Sequence, residues 1–286
     1  MLANLNDVLL PARRRGYGVG LFNTVNLEMA RAVLAAAEKL RSPVIIGTAE
    51  VLLPYAPLRE LADLLLPMAR RAGVPVVLHY DHGLTFDRCM QALQCGFSSL
   101  MYDCSTAAYE DNVRSVRELT KIAHAFGATV EAELGHVGNA EGGEGDGDAG
   151  QPDPAAFYTD PDQARDYIDR TGADALAIAV GTAHGAYRLP PKLDFGRIET
   201  IAARIPTPLV LHGGSGLTDD DFRHAIRSGI SKVNIFTDLN LAGAEGLRKG
   251  LAAGKRTVTD LIPCQVEAMQ AATEAKIALF GSAGKA

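Results

Sequence analysis

Eight short apolar runs alternate with helix-forming segments along this chain, and this alternation restricts its fold more than any other feature. Each run has the length of a buried strand, and the segments between most of the runs carry apolar residues at helical spacing. Strands that alternate with helices over about 235 residues have the pattern and size of a (β/α)8 barrel. We therefore predict an α/β fold, a (β/α)8 TIM barrel, with strands at Gly18–Asn23, Pro43–Thr48, Val74–His79, Phe97–Tyr102, Thr129–Leu134, Ala175–Val180, Leu209–Leu211 and Ser231–Phe236.

The length and composition favour one domain. The chain has 286 residues, of which 47% are hydrophobic, and this is enough for one large core. We predict a single domain over residues 1–286 with a C-terminal helical extension at about 262–286. The helix expected at Val266–Phe280 is a candidate subunit interface.

Residues 135–154 interrupt the pattern. This stretch is rich in glycine, contains five carboxylates and has few apolar side chains to hold it in place. Long loops without secondary structure in compact domains are usually functional or disordered. We interpret the stretch as a mobile active-site lid, and an insertion without a function is the alternative.

Charge and composition exclude several classes of function. The net charge of −6 and pI of about 5.7 argue against a broad nucleic-acid surface. The one tight basic run, Arg13 to Arg15, is interpreted as a solvated face rather than a phosphate site. The sequence contains no 18-residue apolar run and begins without a signal-peptide pattern, so we expect a cytoplasmic protein with no membrane partner. The four cysteines show no CxxC spacing and are expected to be free thiols.

Three apolar runs are followed by a histidine and then a glycine. The stretches are VPVVLHYDHG with His82, ALAIAVGTAHGAY with His184, and PLVLHGGSG with His212. A polar ring at the end of a buried strand lies where parallel α/β sheets present their chemistry. Taken alone, each stretch also fits a tight turn with a hydrogen-bonded histidine. If the strands form a barrel, the three imidazoles can converge on one metal ion.

Several motifs in order resemble the class II, metal-dependent ketose-bisphosphate aldolases, the family of fructose- and tagatose-bisphosphate aldolases. The matching stretches are FNTVNLEMARAV, HYDHG, VEAELGHVG, YTDPDQA, GTAHGAY, LVLHGGSG and KVNIFTDL, which span nearly the whole chain. The resemblance implies a sugar-phosphate substrate, a catalytic Zn²⁺ and a homodimer or homotetramer. It also allows a monovalent cation in addition to the zinc.

The resemblance implies roles for individual residues around the metal. His82, His184 and His212 match the zinc ligands, and three protein ligands with one open position are typical of a catalytic zinc site. Asp81 matches the acid–base that handles the proton of the substrate's C4 hydroxyl; a carboxylate that only orients a histidine is the alternative. Asp103 and Glu133 match acidic residues beside the metal, which in some relatives bind a second or alternative metal position.

The resemblance also implies two phosphate-binding loops and a proton-transfer group on the lid. The phosphate-binding residues would be Gly185, Gly213, Gly214, Ser215, Asn234, Ile235, Phe236 and Thr237. Loops after the last two strands of such barrels often hold a phosphate, here that of dihydroxyacetone phosphate. Glu144 is the predicted group that transfers the proton at the enediolate carbon, with Glu141 and Asp146 as rivals.

Two positions depart from the family pattern. Phe236 and Asn240 stand where fructose-bisphosphate enzymes often carry an aspartate and a basic residue that hold the second substrate. We therefore hypothesise an aldehyde substrate other than glyceraldehyde 3-phosphate. The alternative is compensation by another basic residue, such as Arg188, Lys255 or Arg256.

Two other classes of function stay open. One is a non-catalytic, metal-binding aldolase-like subunit that supports a partner sugar-phosphate enzyme. The full set of ligands together with Asp81 argues against this loss of activity. The other is a hydrolase that uses zinc-bound hydroxide, which fits three histidines but leaves the two phosphate-type loops unexplained.

Overall fold

Eight parallel strands close into a barrel in the computed structural model, which describes residues 1–137, 157–182 and 192–286. Around the barrel the order is β4-β3-β2-β9-β8-β7-β6-β5, and β5 pairs with β4 to close the ring. The architecture is the predicted (β/α)8 barrel. The barrel strands are β2 (Val19–Asn23), β3 (Val44–Ala49), β4 (Val76–Gly83), β5 (Ser99–Tyr102), β6 (Thr129–Leu134), β7 (Ala175–Ile178), β8 (Leu209–Leu211) and β9 (Ile230–Ile235), and a two-residue strand β1 (Leu2–Ala3) pairs with the start of β4.

The described helices surround this barrel. They are α1 (Leu5–Arg15), α2 (Leu27–Lys39), α3 (Leu58–Arg71), α4 (Phe86–Gln94), α5 (Tyr109–Ala125), α6 (Pro161–Thr171), α7 (Phe195–Arg204), α8 (Asp219–Ser228), α9 (Thr237–Ala252) and α10 (Val258–Phe280). Among them, none is long and apolar enough to cross a bilayer.

Helix α1 is the longest element in the described residues that was not predicted from the sequence. Asn4 starts it with a capping box, in which the Asn4 side chain accepts from the backbone of Asp7 and the Asp7 side chain accepts from the backbone of Asn4. Leu5, Val8 and Leu9 of this helix pack into the same buried cluster as inward-facing residues of several strands. Helix α1 therefore covers the N-terminal end of the barrel.

Two boundaries of the predicted elements differ from the predictions by more than three residues. The strand predicted to end at His79 continues to Gly83, so Tyr80, Asp81 and His82 belong to β4 rather than to a following loop. The last helix begins at Val258 rather than near Val266. Thr257 caps its start by accepting from the backbone of Asp260, and Pro263 lies inside the helix without ending it.

The barrel interior changes from apolar to polar along its axis. Near α1 it contains Val19, Ile45, Val77, Ala175 and Val210. Inward-facing positions nearer the C-terminal ends of the strands are polar although fully buried, namely His79, Ser99, Glu131 and Lys232. Because side chains two apart on a strand share a face, the next inward-facing residues on these strands lie at the barrel mouth.

Candidate active site

A cavity of about 350 Å³ opens at the C-terminal ends of the strands. The predicted residues Asp81, His82 and Asp103 line it, and so do all of the described residues that were predicted to bind phosphate: Gly213, Gly214, Ser215, Asn234, Ile235, Phe236 and Thr237. His184, Gly185 and Glu144 lie outside the described residues, as do Glu141 and Asp146. Their predicted roles stay predictions.

An irregularity in β4 brings two consecutive side chains to the cavity. The pairing between β4 and β5 shifts register between Tyr80 and Gly83, and His82 has a φ of 45°. On a regular strand, neighbouring side chains point to opposite faces. Here Asp81 and His82 both line the cavity. The imidazole of His82 is held by Asp103 on the adjacent strand end, with 2.8 Å between His82 Nδ1 and Asp103 Oδ2.

His212 follows β8 and is fully buried between two carboxylates of β6. Its Nε2 lies 2.8 Å from Glu131 Oε1, and its Nδ1 lies 3.1 Å from Glu133 Oε2. The rings of His212 and His82 meet edge to face with centroids 4.5 Å apart. Two of the three histidines predicted as metal ligands are therefore adjacent in the folded chain.

The donor atoms at this point suit a divalent transition-metal ion. One potential ligand atom from each of Asp81, His82 and His212 lies within 4.8 Å of the other two, and the same is true of His82, Asp103 and Glu133. Imidazole nitrogens together with carboxylate oxygens are the ligand types that Zn²⁺ and similar ions bind. The residues present thus fit the predicted metal, and Asp103 and Glu133 are among the potential ligands.

Mutual charge compensation keeps these buried groups ionised. Burial alone would raise the pKa of Asp81, but the adjacent charges of His82 and Lys232 hold it well below its usual range. Burial likewise opposes ionisation of Glu131, whose pKa is nevertheless lowered to about 2 by Lys232 and His212. For His212, burial is outweighed by the hydrogen bonds to Glu131 and Glu133, which raise its pKa to about 10. The buried carboxylates thus remain anionic and favour a positive charge at the imidazoles, which a proton supplies in the metal-free protein and a bound metal cation would supply in its place.

Asp81 is 1% exposed and is fixed by amides from two other strands. Asn23 Nδ2 donates to Asp81 Oδ2 at 2.8 Å, and Asn234 Nδ2 lies 3.2 Å from Asp81 Oδ1 and 3.3 Å from Oδ2. No role was predicted from the sequence for Asn23 or for Lys232 beneath it. The signal that could have found them is position, since each is a polar residue in an apolar run of a predicted barrel strand.

One side of the cavity is formed by two loop segments whose backbone N–H groups can bind an anion. The loop Gly213–Ser215 runs between β8 and α8, and Asn234–Thr237 joins β9 to α9. A Cβ at Gly214 would lie 3.0 Å from Val233 Cγ1 and 3.1 Å from Asn234 O, so glycine lets these two segments approach closely. The N–H groups in the first turn of α9 have no acceptor within the helix, and such helix starts attract phosphate.

The other side of the cavity is largely apolar. Ala49, Val51, Leu52 and Leu84 come from the segments after β3 and β4, and Phe236 faces the same space. Among the described residues that line the cavity, none is a lysine or an arginine. The described walls thus hold donors suited to one phosphate on the side of Gly213 and offer no side-chain cation for a second one.

A closed (β/α)8 barrel with imidazole and carboxylate donors beside a phosphate-type loop pair defines the class of metal-dependent barrel enzymes. Comparison with known proteins narrows this class. The model of the family described as fructose-bisphosphate aldolase class-II matches residues 3–285. The chain belongs to that family, and it is therefore an aldolase, a carbon–carbon lyase.

Individual relatives match this chain over most or all of its length as well as in sequence. A fructose-bisphosphate aldolase of Thermus caldophilus is 38% identical over 312 aligned positions, with 100% of both chains covered. The D-tagatose-1,6-bisphosphate aldolase subunit GatY of Klebsiella oxytoca is 38% identical over 85% of this chain and 84% of its own length. Among solved structures, the YdjI aldolase from Escherichia coli K12 matches with a TM-score of 0.89 and 35% identity, covering 100% of both chains.

Proposed function

We propose that this chain catalyses the reversible aldol cleavage of a ketose phosphate into dihydroxyacetone phosphate and an aldehyde. The observation that carries the proposal is the position of Asp81, which lies directly beside the donor cluster of His82 and His212 and lines the same cavity as the phosphate-type loops. Under this proposal, one cavity would hold the proton acceptor, the metal and the substrate phosphate.

The proposed metal is Zn²⁺, held by His82, His184 and His212. When bound, such an ion withdraws electrons from the ketose carbonyl and stabilises the negative charge that develops on bond cleavage. Asp103 orients His82 through its 2.8 Å contact, and Glu133 lies beside His212. A carboxylate that holds a ligating imidazole fixes its ring orientation and raises its basicity. A monovalent cation in addition stays a hypothesis from the family resemblance.

The bond-breaking step needs one proton acceptor and one proton donor. In the cleavage direction Asp81 accepts the proton of the C4 hydroxyl, the C3–C4 bond breaks, and C4 becomes the carbonyl carbon of the aldehyde. The electron pair of the broken bond remains with the C3 side as an enediolate. Glu144 then delivers a proton to C3, which completes dihydroxyacetone phosphate. Glu141 and Asp146 are the alternatives for this last step.

The phosphate of dihydroxyacetone phosphate is proposed to lie between the Gly213–Ser215 loop and the start of α9. Gly185 would join it from the segment after β7. Backbone N–H groups and hydroxyls suit a phosphate because they donate hydrogen bonds without needing a counter-charge of their own.

We further propose that the second product is an aldehyde without a phosphate, rather than glyceraldehyde 3-phosphate. The support is the apolar wall formed by Val51, Leu52, Leu84 and Phe236 and the lack of a described lysine or arginine in the cavity lining. A missing cation opposite a phosphate removes a charge-assisted hydrogen bond worth roughly 1.5–3 kcal/mol. Arg188 is the single basic residue of the segments 138–156 and 183–191. Lys255 and Arg256, which follow α9, are the other candidates for compensation.

A substrate panel tests this proposal. Zinc-loaded enzyme is incubated with fructose 1,6-bisphosphate, tagatose 1,6-bisphosphate and the corresponding 1-phosphates, and released dihydroxyacetone phosphate is measured. We expect cleavage, with kcat/KM for a 1-phosphate at least equal to that for its bisphosphate. A strong preference for a bisphosphate would contradict the unphosphorylated aldehyde. The variants Arg188→Ala and Arg256→Ala would then show which residue binds the second phosphate.

The Klebsiella oxytoca relative is named as an aldolase subunit, which favours a second candidate function. In that case this chain would bind a metal and support a partner enzyme. Zinc binding without cleavage of any ketose phosphate in the panel would favour it.

We also propose a homodimer or homotetramer of a cytoplasmic protein. Leu241 and Val258 are 63% and 72% exposed on α9 and α10, and such surfaces suit a subunit contact. Light scattering gives the oligomeric state.

A further inference from the structure

Lys232 is a fully buried cation inside the barrel. It lies on β9, and its ammonium reaches across the interior to β6, where Nζ is 2.6 Å from Glu131 Oε2. Both side chains are 0% exposed. Replacing a buried ion pair by apolar residues is often neutral or stabilising, so such a pair is weak evidence for a contribution to stability. The second contact of Lys232 suggests another role, since Nζ also donates to Asn234 Oδ1 at 2.8 Å.

This second contact dictates how the amide of Asn234 is oriented. An ammonium group has only donors, so the oxygen of the amide must face it. The Nδ2 group of Asn234 then points the other way, towards Asp81, where it lies 3.2 Å from Oδ1 and 3.3 Å from Oδ2. Without the ammonium group, the amide can rotate and turn its oxygen towards the carboxylate, which repels it.

We propose that Lys232 is a positioning residue, which fixes the carboxylate of Asp81 through the amide of Asn234. The proposal rests on the proposed function, in which Asp81 accepts the proton of the C4 hydroxyl. Asn23 holds only Asp81 Oδ2, at 2.8 Å. The second amide, together with His79 Nε2 at 3.6 Å from Asp81 Oδ1, restricts the remaining rotation of the carboxylate about that bond. Glu131 is the counter-charge of the buried lysine.

The double variant Lys232→Met/Glu131→Gln tests the positioning role of Lys232 separately from any effect on folding. The single Lys232→Met change leaves a buried carboxylate without its counter-charge and can prevent folding. The double variant removes both charges and nearly preserves both side-chain volumes. The oxygen of Gln at position 131 can still accept from His212 Nε2, which Glu131 now does at 2.8 Å.

We expect a selective loss of bond cleavage in the double variant. Its kcat for cleavage of the best ketose phosphate should fall by about tenfold to a hundredfold, because a misplaced proton-transfer group slows the chemical step. KM and the zinc affinity, measured by competition with a chelator, should stay within about threefold. The exchange of the C3 proton of dihydroxyacetone phosphate with solvent deuterium should also persist, since it involves no C4 hydroxyl and therefore no transfer to Asp81.

A coupling measurement distinguishes action through Asn234 from a general disturbance. Asn234→Ala should lower kcat in the wild-type background but change it little in the double variant, because both changes break the same link. Leu9→Ala is the matched control for lost stability. It truncates a fully buried side chain at the opposite end of the barrel and should leave kcat unchanged.

Three results would overturn the inference. One is a double variant with the wild-type kcat. Another is a parallel fall of cleavage, deuterium exchange and zinc affinity, which would show that the pair supports the metal site instead. The third is an Asn234→Ala effect that is equally large in both backgrounds. Failure of the proposed function itself would look different, since the wild-type enzyme would then cleave no ketose phosphate.

Discussion

The carboxylate of Asp81 is 1% exposed, yet it is flanked by hydrogen-bond donors and stays ionised. A general base must be anionic at working pH and within reach of the proton that it takes. At the scale of single residues, the proposed chemistry depends on this side chain more than on any other described one. Its neighbours Asn23 and Asn234 come from β2 and β9, on the far side of the closed ring from β5.

Asp81→Asn tests that dependence. An amide of the same shape cannot accept the proton, so kcat for cleavage should fall by about 10²–10⁴-fold while zinc still binds with the wild-type stoichiometry. Initial rates and metal analysis of the purified variant measure the two quantities. Asp87→Asn makes the same chemical change at an exposed position of α4 and should be neutral. A variant at position 81 with a rate within threefold of the wild type would refute a proton-transfer role.

Part of the geometry of the candidate site could be predicted from the sequence, whereas the roles of its residues stay predictions. Asp81, His82 and His212 were predicted to meet, and the structure brings them together. Glu131 and Glu133 lie two residues apart on β6, and both carboxylates contact His212 inside the barrel. The polar residues beneath the site were harder to interpret, because the role of Lys232 depends on a contact across the barrel between β9 and β6. His184, Gly185 and Glu144 stay predictions.

At the scale of elements, β3 and β4 approach each other closely at a position two residues before Asp81. Gly47 of β3 pairs with His79 of β4. An added Cβ at Gly47 would lie 2.3 Å from the carbonyl oxygen of His79 and 3.2 Å from its carbonyl carbon. Backbone atoms cannot rotate away as a side chain does, so any side chain at position 47 forces the two strands apart.

Gly47→Ala should therefore destabilise the protein by about 1–3 kcal/mol, the usual cost of overpacking a buried position. The midpoint of urea unfolding measures this change. Gly73→Ala is the matched control, because its added Cβ would approach no atom closer than 3.7 Å and should change stability by less than about 0.5 kcal/mol. Equal effects of the two substitutions would show that the strand spacing does not depend on Gly47.

Element boundaries were predictable where the pattern was regular. β6 and α5 have the predicted bounds because their apolar spacing and flanking residues agree. The end of β4 was not predictable, because the sequence Tyr-Asp-His-Gly resembles a loop and the register shift that keeps it in the sheet is set by β5. Helix α1 was missed although Asn4 and Asp7 form a recognisable capping box.

At the scale of the whole molecule, barrel closure determines which side chains meet. The alternation of strands and helices predicts eight strands in a ring, and the ring brings His82 of β4 to His212, which follows β8 on the opposite side. Helix α1 closes the apolar end, so the polar interior opens only towards the cavity side in the described part of the chain. The apolar packing at one end of the barrel is therefore spatially separate from the candidate active site at the other end.

A zinc titration of metal-free enzyme tests the central claim most directly. The protein is treated with EDTA, dialysed and titrated with zinc, and dihydroxyacetone phosphate release from the best ketose phosphate is followed at each addition. We predict no cleavage without metal and a linear rise that levels off at about one zinc per chain, with His212→Ala regaining almost none of the rate. Full activity in the metal-free protein, or equal recovery in His212→Ala, would contradict a reaction that depends on this donor cluster.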